Sequence, residues 1–172
     1  RTKLVVLNSP HNPCGSVRAR DDLTASAAAL AATPAWVLSD EIYGRITYGV
    51  EAASIASLPG MQQRTIILDG FSKAYAMTGW RLGYGVMPAP LAERITQLAT
   101  NATSCAAAFT QVADAAALRG PQESVDTMVA EFRRRRARLV KGLNNIEGLT
   151  CRTPLGAFYV FPHPQAVDPD SA

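Results

Sequence analysis

Three short β-branched runs, each stopping at a cluster of polar residues, constrain this chain most. KLVVLN (Lys3–Asn8) stops at a proline-rich turn, Ser9-Pro10-His11-Asn12-Pro13-Cys14-Gly15. WVLS (Trp36–Ser39) stops at Asp40-Glu41, and TIIL (Thr65–Leu68) stops at Asp69-Gly70. Apolar runs of this length read as buried strands. Between the first two lies LTASAAALAA, an alanine-rich helical stretch preceded by Asp21 and Asp22, whose charges suit a helix N-terminus. LGYGVM (Leu82–Met87) reads as a fourth strand. Strand, helix, strand with short turns specifies an α/β fold with a mostly parallel sheet and flanking helices. Ligands of such sheets sit at the carboxyl ends of the strands, where the polar residues gather here.

From Pro88 the pattern changes. Leu91, Ile95 and Leu98 in Pro90–Thr100 have helical spacing, and Phe109–Leu118 continues helical. Pro121–Asn144 is a long amphipathic helix with Val125, Met128, Val129, Phe132, Leu139, Val140 and Leu143 on one stripe. After Gly148, Thr150–Arg152 and Ala157–Phe161 (AFYVF) are expected as two strands of another unit, followed by a polar DPDSA tail. These features divide the chain into residues 1–120, part of a large α/β domain, and residues 121–172, a connecting helix and the start of a small α+β domain.

Charge and composition exclude several classes. Seventeen Lys+Arg against 14 Asp+Glu leave +3, too little to argue for nucleic acid. Arg133–Arg136 and Arg138 lie on the polar side of the long helix beside Glu131, as a solvated face. No apolar run reaches membrane-span length. With 48% apolar residues the chain is not disordered. Cys14, Cys105 and Cys151 form no metal or disulfide pattern, which makes a reducing cytoplasm the expected compartment, and Cys105 and Cys151 are expected to pack as small apolar residues. The chain opens Arg1-Thr2-Lys3, without an initiator Met, and is read as a piece of a longer protein.

Six residues at strand ends and turns form a chemical set: Asn12, Asp40, Tyr43, Ser72, Lys73 and Arg81. Singly each is ordinary; a strand-end Asp is usually a cap or solvated, as Glu41 is expected to be. Together they complement one molecule. A lysine desolvated at a strand end offers a neutral, nucleophilic amine. A carboxylate holds a proton on a ring nitrogen, a phenol and an amide bond a ring oxygen, and an arginine clamps a phosphate. Aldehyde, pyridine nitrogen, ring oxygen and phosphate are the groups of pyridoxal 5′-phosphate.

NSPHNPCG, SDEIYG and GFSKAYAMTGWRLGYG resemble the class I aminotransferases of the fold-type-I pyridoxal phosphate family, in look closest to bacterial aspartate aminotransferases. PLGAFYVFP resembles the segment that opens their small C-terminal domain. The resemblance implies an internal Schiff base on Lys73, which also moves the proton between substrate and cofactor. It implies that Asp40 pairs with the pyridinium nitrogen, that Tyr43 and Asn12 bond the ring oxygen, and that Arg81, with Ser72 in support, holds the phosphate. Two positions depart from the family: Cys14 replaces the usual Thr of the turn, and Gly70 stands where many members have a phosphate-binding Ser. The family's earlier phosphate turn and ring-stacking aromatic are expected before Arg1, and its substrate-carboxylate arginine after Ala172. The implied activity is transamination between an amino acid and a 2-oxo acid by a ping-pong mechanism, in a homodimer with no nucleic-acid or membrane partner. A β-lyase or synthase on the same fold, and a cofactor-sensing domain of a transcription regulator, are the alternatives. Thr100–Gln111 holds no arginine for a distal substrate carboxylate, so the substrate pair stays open.

Overall fold

A computed structural model describes residues 1–164; the DPDSA tail lies outside them. Four strands form one sheet in the order β1-β2-β3-β4: β1 Leu4–Asn8, β2 Trp36–Asp40, β3 Thr65–Gly70 and β4 Gly83–Val86. The first three are parallel, with Asn8 opposite Asp40 and Asp40 opposite Leu68, so their carboxyl ends lie level. β4 runs antiparallel, pairing Gly70 with Gly83. The α/β reading of a mostly parallel sheet with flanking helices holds.

Helix α1 (Arg20–Ala31) makes the crossover from β1 to β2. Its N-terminus is closed by Asp22, whose carboxylate accepts from the Ala19 backbone N–H. Its C-terminal turn holds no basic residue of its own. Arg64 serves instead, donating to the carbonyls of Leu30, Thr33 and Ala35. The β2-to-β3 connection carries short 3-10 turns at Ile55–Ser57 and Gln62–Arg64. One core joins Leu7, Val37, Leu23, Ile55, Leu58 and Met61, with Ala27 and Leu30 of α1 packed against it.

Helices α2 (Ala89–Thr103), α3 (Ala108–Arg119) and α4 (Glu123–Asn144) follow. A second core forms where Met128, Val129 and Phe132 of α4 meet Tyr43, Ile46, Tyr48 and Ala157. The expected apolar stripe of α4 is therefore buried mainly at its N-terminal half and at Val140, while Leu139 is half exposed.

Five expectations need correction. β1 is not buried on both faces: it is an edge strand, and Leu4 and Val6 face outward while Leu7 points into the core. Ala157–Phe161 is not a strand. Its start is engaged by the body of the sheet domain instead: Leu155 and Gly156 donate to the Gly15 carbonyl, Ala157 donates to Ile46, and Ala157 turns into left-handed backbone at φ 55°. That turn takes the chain off an extended course. Thr150–Arg152 is not a strand either: in this region only single bridges form, Thr47 with Gly156 and Thr150 with His163. The arginines of α4 do not form one solvated face. Arg134 and Arg135 pair with Glu131, whose carboxyl they hold down at about 2, but Arg136 folds inward. Its guanidinium lies 4.3 Å from the centre of the Tyr48 ring and donates to the Pro154 carbonyl. Finally, Cys105 is exposed rather than a packed apolar residue, whereas Cys151 is buried as expected.

Candidate active site at the strand carboxyl ends

The level ends of β1, β2 and β3 carry the candidate residues forward into three consecutive turns. After β1, the Ser9–Gly15 turn is tied to its neighbour, since Ser9 donates its N–H to the Asp40 carbonyl at 3.2 Å. The Asn8 side chain accepts from the Asn12 N–H at 2.8 Å, and this fixes where Asn12 sits. The turn closes at Gly15, whose φ of 64° and contact with Gly156 and Pro154 leave no room for a side chain. Cys14, in place of the usual Thr, meets His11 there with Sγ 2.8 Å from Nδ1. His11 is thus half-buried and partnered.

After β2, Asp40 accepts the Ile42 N–H through Oδ1 at 3.2 Å, starting the turn that buries Tyr43. Glu41 is neither a cap nor solvated. Its carboxylate accepts from Ser39 Oγ at 2.8 Å and Ser54 Oγ at 2.6 Å, locking the turn to the following loop. Burial first, then the Tyr159 hydroxyl and the Asp40 charge, hold the Tyr43 phenol above its ordinary value, while the amide of Asn12 pulls it down. Asn12, Asp40 and Tyr43 therefore stand close enough to act on one another.

After β3, the chain turns through Phe71–Met77, with Phe71 and Ala74 buried beneath it. Lys73 is half-buried in this turn. Its Nζ lies 6.0 Å from the centre of the Tyr43 ring and 5.8 Å from that of Phe158. The ion pairs of the described residues lie elsewhere, on α4, so no carboxylate neutralises the amine. Ser72 is half-buried beside it. At the base of the turn Asp69 accepts from the Tyr84 hydroxyl at 3.1 Å. Burial raises the Asp69 carboxyl, and burial together with Asp69 pushes Tyr84 up to about 12. Gly70 has a steric reason: a Cβ there would lie 2.8 Å from Gly83 Cα and 3.2 Å from the Leu82 carbonyl oxygen. A serine at this position requires β4 to move away.

Arg81 stands at the exit of the same loop, exposed and in left-handed backbone. Its Nη1 donates to Thr78 O at 2.9 Å, and it lines a cavity with Trp80, Ala106 and Thr110. Trp80 packs on Phe109 rather than on Arg81. The structure thus gathers Asn12, Asp40, Tyr43 and Lys73, while the contacts of Arg81 are with Thr78 and the Trp80–Thr110 cavity.

Two side chains near Lys73 were not anticipated. Phe158 packs edge-on to Tyr43 at 5.3 Å, and the Tyr159 hydroxyl lies 2.5 Å from that of Tyr43. The available signal was a lone hydroxyl in the apolar run AFYVF. A strand reading could not say which way it pointed.

The donor set fits pyridoxal 5′-phosphate: a carboxylate, a phenol, an amide and an amine gather around Tyr43 at the strand ends, and their chemistry covers the ring nitrogen, the ring oxygen and the aldehyde. The sequence matches the family described as aminotransferase class I and II over residues 1–171. It is 44% identical over 164 residues to an aspartate aminotransferase of Rhizobium meliloti, covering 94% of this chain and 40% of that protein. It is 41% identical over 165 residues to an aspartate aminotransferase of Geobacillus stearothermophilus, covering 95% and 42%. The solved aspartate aminotransferase of Rhizobium meliloti superimposes with a TM-score of 0.93 at 41% identity, over 97% of this chain and 42% of that one. An aromatic aminotransferase from Pyrococcus horikoshii superimposes at 0.90, also at 41% identity, over 94% and 44%. The chain spans about two fifths of the length of these relatives. The strand-end constellation and the family match agree, and the chain belongs to the class I and II aminotransferases, whose cofactor is pyridoxal 5′-phosphate.

Proposed function

We propose that the protein containing this chain is a transaminase that moves an amino group from an amino acid to a 2-oxo acid in two half-reactions. The observation that carries this reading is the unpaired Lys73 amine facing Tyr43 and Phe158 beside Asp40 and Asn12. The cofactor supplies an electron sink that makes the substrate α-proton acidic. Lys73 would hold it through its amine and would move the proton at the substrate α-carbon. Asp40 holds the ring-nitrogen proton, and the second-residue bond from Ile42 keeps that carboxylate aimed. Tyr43 and Asn12 present donors to the ring oxygen. Arg81 binds the phosphate as a two-pronged donor, with Ser72 in support. Residues 1–120 are assigned to the cofactor-binding domain and residues 121–172 to a connecting helix and the start of a smaller domain. A homodimer in the cytoplasm is the expected setting. Among the described residues no helix is long and apolar enough to cross a membrane.

The test is covalent trapping. Full-length protein loaded with pyridoxal phosphate is reduced with borohydride, and the modified peptide is mapped beside a Lys73→Ala control. A pyridoxyl group on Lys73, absent from the control, is the expected result. An unmodified Lys73 in cofactor-saturated protein rules the reading out.

A further inference from the structure

The Tyr43 phenol can aim its single proton in only one direction at a time, and its neighbours decide which. A second phenol, Tyr159, meets it at 2.5 Å between hydroxyl oxygens, with the rings nearly perpendicular at 82°. Two hydroxyls at this distance share one hydrogen bond and leave one proton to spare. If Tyr43 donates to Tyr159, its proton is spent within the protein. If Tyr159 donates, the Tyr43 proton is free for an acceptor on the side of Asn12 and Lys73. An oxygen acceptor placed there selects the second arrangement and produces a chain of donors in which each bond polarises the next.

Tyr159 is built into place. Ala157 donates its N–H to Ile46 O at 2.9 Å, and Tyr48 Oη donates to the Ala157 carbonyl at 2.5 Å. Tyr48 N donates to Leu155 O at 2.9 Å. Gly156 lies against Pro10 and Val17 so closely that a Cβ would fall 2.7 Å from Pro10 Cβ. The Phe158 ring closes the other side, 4.9 Å from Tyr159 and 5.3 Å from Tyr43. The segment is thus tied to the loop that directly follows Tyr43. Neither burial nor shape calls for the Tyr159 oxygen, because a phenylalanine ring fills the same space among Ala157, Phe158 and Val160.

Resting on the transaminase reading, we propose that Tyr159 is a positioning residue: its hydroxyl donates to Tyr43 and so directs the Tyr43 proton to the ring oxygen of the cofactor. The groups that face Tyr43 are Asp40 and Asn12 from the turns after β2 and β1, Lys73 from the turn after β3, and Tyr159. Asn12 and Tyr159 are the uncharged donors among them: the Asn12 amide donates an N–H, and Tyr159 is the hydroxyl that can donate to Tyr43.

The experiment uses full-length protein loaded with pyridoxal phosphate and follows its visible absorption against pH. A proton donated to the ring oxygen favours the deprotonated form of the lysine-linked nitrogen, so weakening that bond raises the midpoint. Tyr159→Phe is expected to raise it by about half to one pH unit, the worth of one hydrogen bond. Tyr43→Phe raises it at least as far. Tyr159→Phe added to Tyr43→Phe causes no further change, since the hydroxyl acts only through Tyr43. A thermal midpoint for Tyr159→Phe equal to the parent's shows that packing is intact. A Tyr159→Phe midpoint equal to the parent's, or an equal shift in both backgrounds, overturns the positioning role. Absence of any lysine-linked absorption in the parent overturns the transaminase reading itself.

Discussion

A carboxylate taken out of water without a partner loses hydration that nothing replaces, and α3 puts Asp114 in that position. The residue is 2% exposed, and neither side-chain oxygen has a hydrogen-bond partner among the described residues. Burial raises its carboxyl above the ordinary 3.8. The folded state then holds this proton more tightly than the unfolded chain, so stability falls as pH rises from 3.8 through the raised value. Asp114→Ala is therefore expected to stabilise the full-length protein at pH 7, by about 1–3 kcal/mol if the unpaired charge carries its usual penalty. The gain shrinks as the pH is lowered through the raised value and is gone below 3.8, where the acid is neutral in both states. Urea denaturation across that range measures it. A variant less stable than the parent at pH 7 shows that Asp114 has a partner in the full-length protein. The same scale explains why the site was only partly legible. Asn12, Asp40 and Lys73 could be read because strand ends announce themselves as apolar runs that stop. Tyr159 could not, because it reaches Tyr43 across 116 positions of sequence through a left-handed turn at Ala157.

At the scale of elements, α1 and β2 are held in register by a residue from outside both. The last turn of α1 lacks a cation, and its free carbonyls would otherwise face solvent. Arg64 brings its Nε to Ala35 O at 3.0 Å, Nη1 to Leu30 O at 3.1 Å and Nη2 to Thr33 O at 2.5 Å. Arg64→Met keeps much of the aliphatic stem and removes every donor. A loss of about 1.5–3 kcal/mol in chemical denaturation is expected, the usual worth of a charged hydrogen-bonding group. Arg64→Lys restores only part of it, since a point-like ammonium cannot span three carbonyls as a planar fork does. Full stability in Arg64→Met would mean that water serves those carbonyls equally well. The elements themselves were legible where local pattern and tertiary context agree: all four strands and all four helices appear where the runs and the apolar spacing place them. Thr150–Arg152, which keeps one bridge at Thr150, and AFYVF are the exceptions, and AFYVF is the instructive one. Its composition is that of a strand, but an extended run needs a paired neighbour, and the Ile46 carbonyl captures its first N–H, just after the Gly15 carbonyl has taken those of Leu155 and Gly156.

At the scale of the molecule, the described chain leaves two sets of large apolar residues open to solvent. The β1 edge presents Leu4 and Val6, the latter 62% exposed, with unpaired backbone groups alongside. Helices α2 and α3 present Leu98, Phe109 and Val112, the last two more than 70% exposed. Open strand edges and contiguous apolar faces invite association. The 172-residue chain purified alone is expected to bind a hydrophobic dye strongly, to elute from a sizing column ahead of a monomer standard, and to show no transamination. The full-length protein is expected to bind little dye under the same conditions, since apolar faces of this extent are normally covered in a folded protein. Association of the short chain should weaken when Val6→Lys and Val112→Glu are introduced together, because a charge at each face opposes stacking without touching the strand-end turns. A monodisperse monomer without dye binding would show that the chain covers these faces itself. Measurable transamination by the same sample would go further: the constellation of Asn12, Asp40, Tyr43 and Lys73 would then suffice for catalysis without the other three fifths of its relatives' length.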